Sequence, residues 1–266
     1  MVPPMAALHP IEASELHARR ERVFLVLAGL FLGAMAMLNI IGITRFIKIG
    51  PLALAIGVLP YPVTFLCTDV ISEIYGRKRA NTVVTVGLLV NALIIGTMWL
   101  GSALPAVDVA EQPPWQVLHF SQPVALPDGS VLQDRGELFE LIFACTAGAV
   151  FASMAAYGLA QYCDVYLFHF WKRLTKGKHL WLRNNGSTVV SQLVDTVAVV
   201  GLTFGAAFMR DEISLSTLLK LVAGGYVFKL VAALLDTGPF YLAVRYLRGY
   251  LQIPTIESDV VSREVT

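Results

Sequence analysis

STVVSQLVDTVAVVGLTFGAAFM, from Ser187 to Met209, is an apolar run with a single ionisable group, Asp195. At a rise of about 1.5 Å per residue it is long enough to cross the hydrocarbon core of a bilayer. Wound at about 100° per residue, it gathers Ser187, Thr188, Ser191, Gln192, Asp195, Thr196 and Thr203 on roughly half of its circumference. The opposite half is almost purely aliphatic. Lipid offers no hydrogen bonds, so a polar face on a membrane helix looks into the bundle or into a wet cavity. Interhelical glue is the simpler alternative for the same face.

Similar apolar runs recur along the whole chain. Of its 266 residues 56% are hydrophobic and 15% charged, and the mean hydropathy is +0.66. A membrane is the natural solvent for such a chain. Six spans are predicted: Val23 to Ile43, Ile49 to Thr68, Thr82 to Leu104, Leu138 to Tyr162, Ser187 to Met209 and Leu215 to Leu235. The fold class expected is all-α, a polytopic bundle of six transmembrane helices. The first run is expected to be retained as a helix, because the stretch before it is too polar and too long for the start of a cleaved signal.

Lys and Arg orient the bundle. Arg19, Arg20 and Arg22, then Arg77, Lys78 and Arg79, then Lys172, Arg173, Lys176, Lys178 and Arg183, and finally Arg245, Arg248 and Arg263 fall in alternate connections. The other side holds Arg45, Lys48, Arg135 and Arg210. Fourteen against four places both termini on the cytoplasmic side. The resulting division is a tail over 1–22, a membrane domain over 23–248 with an outer loop at about 105–137, and a tail over 249–266. That loop is expected to act either as a lid or as a passive linker. Two halves of three helices with opposite orientation permit a 3+3 inverted repeat. Ala144, Gly148, Ala152, Ala156 and Ala160 recur every fourth residue in the fourth span and form a packing seam.

Several function classes are disfavoured. A net charge of +1 supplies no basic surplus for nucleic acid. Cys67, Cys145 and Cys163 form no CxxC pair, so no metal or cofactor is expected. No HExxH, GxSxG or paired-His signature points to an intramembrane enzyme. The expected partners are a small molecule and the lipid bilayer, and self-association stays open.

Ionisable groups within spans mark function by default. Here they are Asp69, Asp164, Asp195, Lys229 and Asp236, with Glu73 one turn beyond Asp69. Pro60 and Pro62 are expected to kink or break the second span and free backbone carbonyls for a site. Glu73 also has a purely structural reading, an ion pair with Arg77 one turn on. Gln161 with Asp164 and Gln192 with Asp195 repeat one spacing, each pair on one face. Asp195 and Lys229 each lie seventeen residues from Glu212 in the intervening connection. In antiparallel neighbours that puts them at one depth and predicts an ion pair, whose simplest role is to hold two helices together.

TFLCTDVISEIYGRKRA at Thr64 to Ala80, QYCDVY at Gln161 to Tyr166 and LWLRNNGSTVVSQLVDT at Leu180 to Thr196 resemble the queuosine precursor transporters, also described as a vitamin-uptake family. The resemblance covers most of the chain outside the amino-terminal tail, the outer loop and the extreme carboxyl end. It implies import of 7-cyano-7-deazaguanine or its aminomethyl relative across the bacterial inner membrane, for salvage into tRNA queuosine. A guanine-like edge offers two adjacent N–H donors that one carboxylate can accept together. Asp69, Glu73, Asp164 and Asp195 are then the candidate acceptors, with Ser191 on the same polar face and Gln161, Gln192, Asn184 and Asn185 as neutral partners. Tyr61, Phe65, Tyr157 or Trp181 would supply a stacking face. Asp195, Lys229 and Asp236 are candidates for coupling to ion movement. A substrate-capturing subunit for another purine-like or vitamin-like nutrient, dependent on separate energising subunits, is the alternative.

Overall fold

The computed structural model describes residues 13–42, 44–50, 52–108, 111–126, 130–175, 180–211 and 213–253. Its long elements are the helices α1 (Ala13–Ile41), α2 (Tyr61–Tyr75), α3 (Arg77–Ala103), α4 (Leu138–Leu174), α5 (Leu180–Met209) and α6 (Leu215–Tyr250). Four stretches within them, Ala13–Ile41, Lys78–Ala103, Gly186–Gly205 and Leu215–Tyr250, are long and apolar enough to cross a membrane. The distribution of polarity is inverted relative to a water-soluble bundle. Leu25, Leu93, Leu235 and Leu242 stand on the outside, while Asn91, Thr146, Ser191, Gln192 and Asp195 are buried. That is the arrangement lipid demands, because polar groups must find their partners inside.

The reading of Ile49 to Thr68 as one helical crossing is corrected. Gly50, at φ +58°, turns the chain so that β1 (Phe46–Ile49) pairs antiparallel with β2 (Leu52–Ala55), with Ile49 opposite Leu52. A single 3₁₀ turn over Ile56–Val58 follows, and α2 begins only at Tyr61. Pro60 and Pro62 therefore start a helix rather than kink one. The first-turn amides have no intrahelical partners, so proline loses nothing there. With 15 residues, α2 spans about 22 Å, short of the roughly 30 Å hydrocarbon core. The segment ahead of it is stitched to the end of α1 by backbone hydrogen bonds. Gly57 N–H donates to the Gly42 carbonyl at 3.0 Å, and Ile56 N–H to that of Arg45 at 2.9 Å. At its other end α2 stops at Gly76, whose φ of +80° suits glycine and lets α3 start at the next residue.

The outer connection is structured where it is described. β3 (Val117–His119) pairs with β6 (Arg135–Glu137), and β4 (Val124–Ala125) with β5 (Val131–Leu132), so the connection forms a nested hairpin arm. Leu126 and Leu132 bury against Ala144 at the start of α4, with Phe120 and Leu141 packed around them. Through these side chains the arm packs on the start of α4.

Ala144, Ala152, Ala156 and Ala160 of α4 are all buried. Their missing side-chain volume lets neighbouring backbones come close. Ala156 is 0% exposed, so Ala156→Leu would force three extra carbons into a filled seam. The expected cost is about 1–3 kcal/mol, read as a lower melting temperature of the purified protein in detergent. An unchanged melting temperature would contradict this packing.

Candidate functional site

A cavity lies between α1, α2, α4 and α5. Met35 and Leu38 come from α1, Tyr61, Thr64, Phe65, Thr68 and Asp69 from α2, Ser153, Tyr157 and Ala160 from α4, and Thr188, Ser191, Gln192 and Asp195 from α5. The cavity and its mouth together hold ≈ 670 Å³ of space free of protein atoms. Its walls mix apolar side chains with a few convergent polar groups, the make-up of small-molecule sites.

The α5 wall follows from its amphipathic pattern. Ser187, Ser191, Gln192, Asp195 and Thr196 are buried, whereas Val190, Leu193, Val197 and Leu202 are exposed on the aliphatic side. The α2 wall follows from its proline start, which brings Tyr61 to the first helical position. From there the Tyr61 hydroxyl donates to Asp195 Oδ2 at 3.0 Å.

Asp195 Oδ2 also receives Lys229 Nζ from α6, and both side chains are buried. Lys229 Nζ further lies 4.6 Å from the centroid of the Tyr61 ring, so its charge meets a carboxylate and an aromatic face together. Asp195 Oδ1 and Gln192 Oε1 are buried and accept no hydrogen bond among the described residues. An unpaired buried acceptor is costly, the more so for a charged group. This half of the site is therefore electrically balanced but not saturated.

The structure brings Asp69, Ser191, Gln192 and Asp195 to the same cavity. Glu73 is not among the lining residues. While the side chain of Arg77, its expected local partner, lies outside the described residues, Arg248 Nη2 of α6 donates across the bundle to Glu73 Oε1 at 2.5 Å. The two positions are 175 residues apart, and nothing local in the sequence signals the contact. Asp236 lies two turns beyond Lys229 on α6, outside the cavity lining, with its Oδ2 buried and unbonded among the described residues. The side chains of Gln161, Asp164, Trp181, Asn184 and Asn185 lie outside the described residues.

Around Tyr75 the helices are tied together. Arg79 pairs with Glu21 at 2.7 Å and sits over the rings of Phe24 and Tyr75, while the Tyr75 hydroxyl donates to the Arg20 carbonyl at 2.8 Å. Between this end and the cavity, Phe31, Cys67, Ile71 and Val83 form a buried apolar plug. A further polar contact not expected from the sequence is a buried hydrogen bond of 2.8 Å from Asn39 of α1 to Asn91 of α3. An Asn in each of two otherwise apolar runs was the available signal.

Apolar helices wrapped around a buried polar cavity define a multi-pass membrane protein with an interior suited to a small solute. The chain belongs to the family described as "Putative vitamin uptake transporter", whose model matches residues 55–243. It is 27% identical over 207 residues to the "Probable queuosine precursor transporter" of Bacillus subtilis (strain 168), covering 77% of this chain and 78% of the relative. It is 25% identical over 195 residues to the "Queuosine precursor transporter" of Escherichia coli (strain K12), covering 70% of each. No solved structure matches the chain. The matched region includes the α2, α4 and α5 walls of the cavity together with Lys229.

Proposed function

We propose that this chain imports a queuosine precursor, 7-cyano-7-deazaguanine or its aminomethyl relative, across the bacterial cytoplasmic membrane for use in tRNA. The observation that supports it best is the coincidence of two kinds of residue. Thr64, Asp69, Thr188, Ser191, Gln192 and Asp195 line the cavity, and the same two segments, Thr64 to Ala80 and Leu180 to Thr196, carry the family resemblance. The names of both relatives agree with this substrate.

In this reading six segments cross the membrane with both termini inside, and the β1–β2 hairpin together with α2 completes the crossing that α2 is too short to make alone. The substrate lies among Asp69, Ser191, Gln192 and Asp195, with Gln161, Asp164, Asn184 and Asn185 contributing from the cytoplasmic ends of α4 and α5. Glu73, through Arg248, holds α2 against α6 beside the site. Asp195, Lys229 and Asp236 are the charges through which uptake is coupled to an ion gradient.

The test is complementation of a cell that neither makes nor otherwise imports the deazapurine, with precursor supplied at low concentration and queuosine measured in its tRNA. The chain should restore modified tRNA. Asp69→Asn should reduce restoration at least about tenfold, the size expected for a lost hydrogen bond to a charged acceptor, at unchanged membrane abundance. Failure of the unaltered chain to restore queuosine overturns the substrate. Full restoration by Asp69→Asn removes Asp69 from the site.

A further inference from the structure

The Asp195 carboxylate has only one oxygen to offer. Oδ2 is occupied by Lys229 Nζ and the Tyr61 hydroxyl, which leaves Oδ1. A ligand cannot therefore be held by both oxygens of this group. One turn earlier on the same helix face, Gln192 supplies a second unbonded acceptor, Oε1. Both side chains line the cavity, and they are 3% and 4% exposed. Two acceptor oxygens on one face, each shielded from water and each without a donor among the described residues, are poorly satisfied until a ligand brings donors to them.

We infer that Gln192 and Asp195 together read a pair of adjacent N–H donors on the substrate, a ring amide N–H beside an exocyclic amine, and so select 2-amino-4-oxo heterocycles over analogues without the amine. This deepens the substrate reading above and rests on it. Lys229 balances the carboxylate charge, so the donor pair need not be cationic. Tyr61 and Lys229 are positioning residues here, because they act on the ligand by holding Oδ2 and turning Oδ1 into a single directed acceptor. A site built around a hydrogen bond rejects a ligand lacking the donor more sharply than an apolar pocket rejects a change of size, because its own buried group is then left unpaired.

The test uses the full chain in proteoliposomes taking up radiolabelled 7-cyano-7-deazaguanine. Unlabelled 7-deazaguanine and 7-deazahypoxanthine, which differ only in the exocyclic amine, serve as competitors. 7-Deazaguanine should compete about 10- to 100-fold more strongly, the ratio expected for one hydrogen bond to a charged or buried acceptor. Gln192→Leu should weaken competition by 7-deazaguanine at least about tenfold. Equal competition by the two analogues on the unaltered protein overturns the inference without any variant, and leaves the substrate reading standing if the label is taken up. Competition by 7-deazaguanine that is unchanged in a folded Gln192→Leu protein also overturns it. Absence of any uptake of the label by the unaltered chain overturns this inference and the substrate reading together.

Discussion

Lys229→Met is expected to destabilise the protein by about 3–5 kcal/mol, because it removes the cation from a buried pair and leaves Asp195 charged and uncompensated. Methionine fills much of the lysine volume, so the loss is electrostatic rather than a cavity effect. The Tyr61 hydroxyl remains as a donor to Oδ2, but a single neutral donor does not replace an ammonium group against a carboxylate that is 3% exposed. The double variant Asp195→Asn with Lys229→Met should recover stability to within about 1 kcal/mol of the starting protein, since removing both members of a buried pair is often close to neutral. It should not recover uptake, because the charged acceptor is gone. Thermal unfolding in detergent and uptake per folded molecule separate these outcomes. Unaltered stability in Lys229→Met, or restored uptake in the double variant, would contradict the roles given to the pair.

Gly57→Ala is expected to be nearly as damaging for a steric reason. An added Cβ would stand 2.8 Å from Gly42 Cα and 3.3 Å from the Leu38 carbonyl oxygen. Both are backbone atoms, which cannot rotate aside as a side chain can. The 3₁₀ turn must then lift off the end of α1, losing the Gly57 to Gly42 hydrogen bond and shifting Tyr61 four residues on. The overpacking costs about 1–3 kcal/mol, the lost bond about 1 kcal/mol more, and uptake should fall with the displaced tyrosine. Gly29→Ala is the matched control, because an added Cβ there meets nothing within 4 Å. In mid-helix that change should be neutral or stabilising by up to about 1 kcal/mol. Equal melting temperatures for the two variants would show that the close approach of Gly42 and Gly57 does not position α2.

The polar wall of α5 was legible in the sequence because helical periodicity sorts residues by face. The half read as aliphatic is the half that holds the exposed Val190, Leu193, Val197 and Leu202. The depth of Lys229 relative to Asp195 was also legible, since two helices joined by a short connection count residues equally from the turn. The character of the second apolar run was not legible. Hydropathy measures apolar length, and Phe46 to Ala55 is as apolar folded into a hairpin as in a helix. Gly50, Pro51, Pro60 and Pro62 carried the distinction. The Glu73 to Arg248 contact was hidden because it depends on how α2 packs against α6, whereas Arg77 lay at an attractive local spacing. The division of labour within the Asp195 carboxylate was hidden as well, since a sequence names an acceptor but not how many of its oxygens are already taken.

We propose that the solute crosses the membrane through the cavity lined by α1, α2, α4 and α5, without help from another protein. Uptake of radiolabelled 7-cyano-7-deazaguanine into liposomes containing only this purified chain tests it most directly. Saturable uptake that Asp69→Asn abolishes in a folded, correctly inserted protein is the result expected. A chain that binds the label but moves none of it under any imposed proton or sodium gradient would contradict the claim.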